Sequence, residues 1–174
     1  LGDVYKRQAF RSLTGFDNAG FPAATIDAKG YVTGSVITVL GSSTKLYSAN
    51  YYDFEGRITK TVQGNLLEGY DTTNTVYTFT GKPNTVTHTH TASGKTTRTE
   101  VYTYTYDHAD RISKVQHSLG STAITLYDAT YDNFGRLLTK QYHGTSTNKL
   151  TYTYNLRSWL TGISGTRFTQ NMSL

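Results

Sequence analysis

The chain has 174 residues, 36% of them hydrophobic, which bounds it to one or two domains with enough apolar side chain to attempt a core. It contains no cysteine, which excludes disulfide frameworks, Cys-ligated zinc and thiol nucleophiles while leaving the redox compartment open. Its formal charge of +5 is scattered as single Lys and Arg residues, so no nucleic-acid partner is expected, and no apolar run approaches the roughly 20 residues of a spanning helix, so no membrane insertion is expected.

The opening Leu1-Gly2-Asp3-Val4-Tyr5-Lys6-Arg7-Gln8 lacks an initiator Met and has no counterpart further along. It reads as translated sequencing adaptor, and without Asp3, Lys6 and Arg7 the charge falls from +5 to +4. The other end, Phe168 to Leu174, likewise reads as a cut. Between them, residues 9–45 form a degenerate region in which Gly15-Phe16-Asp17-Asn18-Ala19-Gly20-Phe21 is a weak copy of a block that recurs from residue 51 onward.

From residue 46 to 174 the chain repeats itself. The blocks at 51–60, 104–114 and 129–140 share Tyr-Asp, then variable residues, then Arg, an aliphatic residue and a nearby Lys. Weaker copies at 76–86 and 151–163 fill the gaps. Aligned on the aromatic before the turn, the anchors are Tyr52, Phe79, Tyr106, Tyr131 and Tyr154, at intervals of 27, 27, 25 and 23 residues. The units fall near 46–66, 70–92, 97–118, 122–144 and 148–168.

Each block carries hairpin logic. The composition, with 15 Tyr and abundant Thr, suits strands. Alternation in Glu100–Tyr106 puts Tyr102, Tyr104 and Tyr106 on one face and Thr103 and Thr105 on the other. Asp53, Asp107 and Asp132 stand at strand ends, where a short carboxylate accepts backbone N–H groups and starts a turn. Gly56, Gly81 and Gly135 supply the permissive backbone, and Arg57, Arg111 and Arg136 open the return strands. In the third unit Ala109-Asp110 replaces the glycine step, and in the last, Tyr154-Asn155-Leu156-Arg157-Ser158-Trp159, the early Arg157 predicts a shorter or different turn. Polar stretches at 64–69, 92–95, 119–121 and 144–148 read as connections. No window holds helical periodicity.

These residues resemble the YD repeat of Rhs and teneurin-type proteins. The strings YSANYYDFEGRI, YTFTGKP, EVYTYTYD and LTYTYNLRSWLTGISG are similar to Rhs-repeat segments of large bacterial surface proteins. The resemblance implies an all-β fold of serial antiparallel hairpins in a curved, twisted sheet, one strip of a shell that can enclose a C-terminal toxin or effector. It also implies an extracellular or cell-surface location, neighbouring repeats of the same parent chain as partners, and no enzyme activity or cofactor. At matched positions it makes the Tyr residues packing groups, the Asp residues turn formers and the Arg residues return-strand anchors. Physically, each Arg fork is expected to bond a neighbouring turn's carboxylate or carbonyls while its stem packs on a Tyr ring.

Candidate chemistry is thin. His88 and His90 share a strand face, but a third metal ligand is not marked nearby, so no metal site is expected. Ser118, His117 and Asp128 would make a triad only on paper, since no Ser sits in a nucleophile elbow. Neither Pro22 nor Pro83 follows an Asp, so the self-cleaving segment of Rhs shells is not expected here. The Tyr-rich, mildly basic surface supports an alternative, a carbohydrate- or surface-binding module for acidic glycans.

Overall fold

The computed structural model describes residues 30–172. The adaptor-like residues 1–8 and the weak copy at 15–23 therefore lie outside the described residues. The strands are β1 (Gly34–Thr38), β2 (Lys45–Tyr52), β3 (Ile58–Gly64), β4 (Tyr70–Tyr77), β5 (Pro83–His90), β6 (Arg98–Tyr106), β7 (Ile112–Leu119), β8 (Ala123–Tyr131), β9 (Leu137–Tyr142), β10 (Lys149–Tyr154), β11 (Leu160–Gly165) and β12 (Thr169–Asn171). Among the described residues the one helical element is a 3-10 turn at Ser146–Asn148. Strand order follows chain order without a crossover, so the fold is all-β, built of serial antiparallel hairpins as the repeats predict.

The described residues divide into two compact units, 30–77 with 86–99, and 78–85 with 100–172. In the first, β1 pairs β2 (Val36 opposite Tyr47), β2 pairs β3 (Ala49 opposite Val62) and β3 pairs β4 (Val62 opposite Thr72). In the second, antiparallel ladders run from β6 to β12, with Tyr104 opposite Val115, Val115 opposite Tyr127, and Tyr127 opposite Tyr142. That row holds three tyrosines and one valine. The alternate positions give the other face Thr130, Thr139, Thr151, Ser164 and Thr169 in successive register.

Four hairpins carry the same irregularity. The register shifts at Tyr51/Tyr52, Thr105/Tyr106, Thr130/Tyr131 and Thr153/Tyr154, each time leaving one extra residue on the return strand. Such a bulge bends the strand and re-aims its neighbours. In three of them a hydroxyl of the extra residue bonds back across the hairpin: Thr59 Oγ1 donates to the Tyr51 carbonyl (3.3 Å), Ser113 Oγ to the Thr105 carbonyl (3.1 Å) and Thr161 Oγ1 to Thr153 Oγ1 (3.2 Å).

Packing does little of the stabilising. Among the described residues the buried apolar side chains are Ala49, Val62 and Ala129, while Phe, Tyr, Leu, Ile and Val side chains stand exposed at many positions. The interactions that fix these hairpins must then be sought in their turns.

Candidate functional site

Three turns share one hydrogen-bond pattern. At Asp53, the backbone N–H donates to the Arg57 carbonyl (3.0 Å) and the Gly56 N–H donates back to the Asp53 carbonyl (3.0 Å). Asp53 Oδ1 accepts from the N–H of Glu55 (3.0 Å) and of Arg57 (2.9 Å), and Oδ2 accepts from Arg57 Nε (2.7 Å). Asp107 repeats this with Ala109 and Arg111, and Asp132 with Phe134 and Arg136, each distance within a few tenths of an ångström. A carboxylate is needed because one side chain must satisfy two backbone donors and still hold a guanidinium. The fourth residue is left-handed: Gly56 at φ 78°, Gly135 at 82° and Asp110 at 63°.

Two further turns keep the frame with different residues. In Thr78-Phe79-Thr80-Gly81-Lys82 the Thr78 Oγ1 accepts from the Lys82 N–H (3.1 Å), and the Thr78 N–H donates to the Lys82 carbonyl (2.7 Å). Lys82 has no carboxylate in its own turn and instead pairs with Asp110 Oδ2 of the next one (3.1 Å). The last turn, expected to be shorter or different, has the same length and pattern. Asn155 Oδ1 accepts from Arg157 (2.9 Å) and Trp159 (3.0 Å), Ser158 takes the left-handed step at φ 63°, and Trp159 occupies the closing position. An amide oxygen replaces the carboxylate, so Arg157 is a mid-turn residue and not the return-strand Arg. Asn65 builds the pattern once more between β3 and β4, accepting from Leu67 (3.0 Å) and Gly69 (3.1 Å).

The turns are linked in one direction. Arg57 lies 4.7 Å from the ring centroid of Tyr77, Lys82 5.4 Å from Tyr106, Arg111 4.2 Å from Tyr131 and Arg136 4.8 Å from Tyr154. Each of those tyrosines donates its hydroxyl to the carbonyl just after the cation: Tyr77 to Ile58 (2.8 Å), Tyr106 to Pro83 (2.8 Å), Tyr131 to Ile112 (3.1 Å) and Tyr154 to Leu137 (3.0 Å). Each of these hairpins thus clamps the ring of its successor.

This geometry corrects two expectations. Phe79 is not an anchor: it sits inside its turn at 103% exposure, and Tyr77, directly before the turn, takes the anchor role. The corrected anchors Tyr52, Tyr77, Tyr106, Tyr131 and Tyr154 are 25, 29, 25 and 23 residues apart. The Arg fork binds its own turn's carboxylate, not a neighbour's. Of the three, Arg136 alone also reaches onward, to the Asn155 carbonyl (3.3 Å).

The structure adds a further copy. Tyr52 donates to the Val32 carbonyl (2.8 Å) and stacks on Tyr31 at 4.9 Å, while Gly30 has φ 86°. Gly30, Tyr31 and Val32 hold the places of Gly56, Arg57 and Ile58. The signal is present in Asp27-Ala28-Lys29-Gly30-Tyr31-Val32, which matches Asp53-Phe54-Glu55-Gly56-Arg57-Ile58 once an aromatic is allowed in the closing position.

The electrostatics follow from the donors. The Asp107 carboxyl is lowered to about 2, first by the Arg111 side chain and then by the backbone N–H groups around it. At Asp53 and Asp132, desolvation opposes ionisation but is outweighed by the backbone and side-chain donors of Arg57 and Arg136, so both are lowered. Desolvation raises the Tyr106 and Tyr154 phenols.

The remaining candidates are dispersed. His117 bonds Glu100 (3.1 Å) and lies tilted against the Tyr102 ring, Asp128 approaches Lys114 (3.9 Å), and Ser118 pairs with Ala123 in the ladder, so no Ser-His-Asp relay is assembled. His88 contacts Thr73 Oγ1 (3.0 Å) and His90 contacts Asp71 Oδ1 (2.5 Å). Among the described residues no group of three or more His, Asp or Glu is placed to hold a metal, and no helix is long and apolar enough to cross a membrane.

No protein-family model matches the chain, and a search of curated proteins finds no match.

Proposed function

We propose that the chain is a structural β-repeat scaffold, part of the wall of a large secreted or surface protein of the Rhs/YD-repeat type, in a shell able to enclose a C-terminal toxin or effector segment. The observation that carries the reading is the one-way clamp of each turn cation and carbonyl on the next hairpin's tyrosine. Such a device makes a hairpin depend on its neighbours and on little else, which is the logic of quasi-one-dimensional proteins. With so few buried apolar side chains, neighbouring repeats of the parent chain are the partners that complete each unit. The scaffold reading assigns no catalytic step and no cofactor.

Serial truncation tests it. A chain ending after β9 should keep its β-sheet circular dichroism and unfold at a lower midpoint, because stability sums over neighbouring units. Complete loss of structure on that truncation would identify a closed globular domain and end the scaffold reading. A second reading, adhesion through surface glycans, is favoured by the aromatic row on β6 to β9.

A further inference from the structure

The chain has no cysteine with which to tie one strand to the next, and its 15 tyrosines stand against one methionine and one tryptophan. With the usual sulfur sinks nearly absent, tyrosine is the side chain that a one-electron oxidant meets most often. What an oxidised ring then does depends on its neighbour. On β8 and β9 the ladder sets Tyr127 directly opposite Tyr142, and their ring centroids are 5.9 Å apart with the planes tilted at 58°. Residues directly opposite on antiparallel strands are the closest cross-strand pair a sheet offers.

Several features prepare this pair for reaction with itself. Tyr142 is 41% exposed and meets a dissolved oxidant, whereas Tyr127 is half-buried and is reached through it. On its other side Tyr127 faces Val115, which cannot compete for a radical. Neither ring belongs to the clamp, in contrast to Tyr52, whose stack on Tyr31 at 4.9 Å is pinned by its hydroxyl on the Val32 carbonyl (2.8 Å). The Lys140 ammonium, 4.8 Å from the Tyr142 centroid and 5.9 Å from that of Tyr127, gathers both rings on one face.

We infer that Tyr127 and Tyr142 are a site of oxidative modification, a cross-strand pair that couples into dityrosine and staples β8 to β9. Each phenol gives up one electron and its hydroxyl proton, the two radicals join through the ring carbons ortho to oxygen, and the hydrogens on those carbons move to the oxygens to restore both phenols. The two electrons and two protons reduce one hydrogen peroxide to two waters at a peroxidase, the co-reactant that the modification requires. The bond closes the hairpin around the Asp132 turn as a disulfide would, restricting the unfolded chain more than the folded one. It reinforces a sheet whose buried apolar side chains, among the described residues, are Ala49, Val62 and Ala129.

Treating the full chain at low concentration with a peroxidase and one equivalent of hydrogen peroxide tests it. Dityrosine fluorescence appears in a chain that still migrates as a monomer, and tryptic digestion yields peptide 115–136 joined to peptide 141–149, in which Tyr142 is the one tyrosine. Tyr142→Phe and Tyr127→Phe each remove that joined peptide, and Tyr152→Phe leaves it in place. The coupled chain melts roughly 5 °C above the untreated one. In urea the yield of the joined peptide falls roughly tenfold, because the ladder no longer holds the rings together. An equal yield in urea would assign the coupling to nearness in sequence, and a joined peptide that survives Tyr127→Phe would assign it to Tyr131; either result overturns the site, as does dityrosine formed between chains alone or not at all. Parent-like melts of the untreated variants exclude misfolding as the cause of a loss.

Discussion

The stack of Arg136 on Tyr154 offers the sharpest test of the clamp. Arg136 bonds Asp132 at 2.6 Å and lies 4.8 Å from the Tyr154 centroid, so Arg136→Ala removes both contacts, and a single substitution cannot apportion them. A double-mutant cycle can. With Arg136→Ala, Tyr154→Leu and the pair, the bond to Asp132 cancels, because it is lost equally in both backgrounds. What remains is the cation over the ring, expected at about 0.5–1 kcal/mol for a partly exposed site. In a chain of this size that coupling corresponds to roughly 1–4 °C in Tm. Urea unfolding followed by circular dichroism and by Trp159, the one tryptophan, reads it. A control cycle between Arg136 and Tyr106, which stacks under Lys82, should show no coupling. If the Arg136 and Tyr154 changes add to within about 0.3 kcal/mol, the contact contributes nothing and the directional clamp is wrong.

Other consequences are separable from it. Because Asp107 titrates at about 2 against an ordinary 3.8, its contribution is complete above pH 4 and is lost as pH falls toward 2; Asp107→Asn should flatten the acid limb of a stability-against-pH curve in that window, and an unchanged limb would deny the carboxylate its role. His143→Gly relieves a left-handed histidine at φ 56° and should stabilise by roughly 0.5–1 kcal/mol, with no gain arguing that the turn is not held there. Tyr77→Phe deletes the hydroxyl bonded to Ile58 and should cost about 1 kcal/mol, whereas Phe79→Ser in the open turn should stay within about 0.5 kcal/mol of zero. The reverse order would restore Phe79 as the anchor.

The strands are legible in the sequence because Tyr and Thr alternate so regularly that period two is unmistakable, as in Glu100–Tyr106. Turn positions are legible wherever Asp and Gly both survive, at Asp53-Gly56 and Asp132-Gly135. They are obscured where the same chemistry is supplied by a different residue. Thr78 provides an acceptor oxygen in place of Asp, which shifts the apparent anchor by two residues to Phe79. Asn155 is isosteric with Asp and plays the same part, yet the Arg157 beside it points an alignment to the wrong cation. Tyr31 replaces an Arg because stacking, not charge alone, is what the closing position requires.

These substitutions define what the closing position selects for. It accepts Arg, Lys and Tyr, three residues that share little except a flat or cationic surface able to lie on an aromatic ring. The carbonyl after it is supplied by Ile58, Pro83, Ile112 or Leu137 without regard to side chain, because a backbone acceptor is available at every residue. One half of the clamp is therefore tolerant of sequence and the other needs only a tyrosine at the end of the incoming strand. Trp159, in the same closing position, supplies a flat surface there as Tyr31 does, with the Arg157 guanidinium 5.5 Å from its ring centroid. A repeat held in this way can lengthen or drift by several residues between turns, as the spacing of 23 to 29 residues shows, without losing the contact that joins one hairpin to the next.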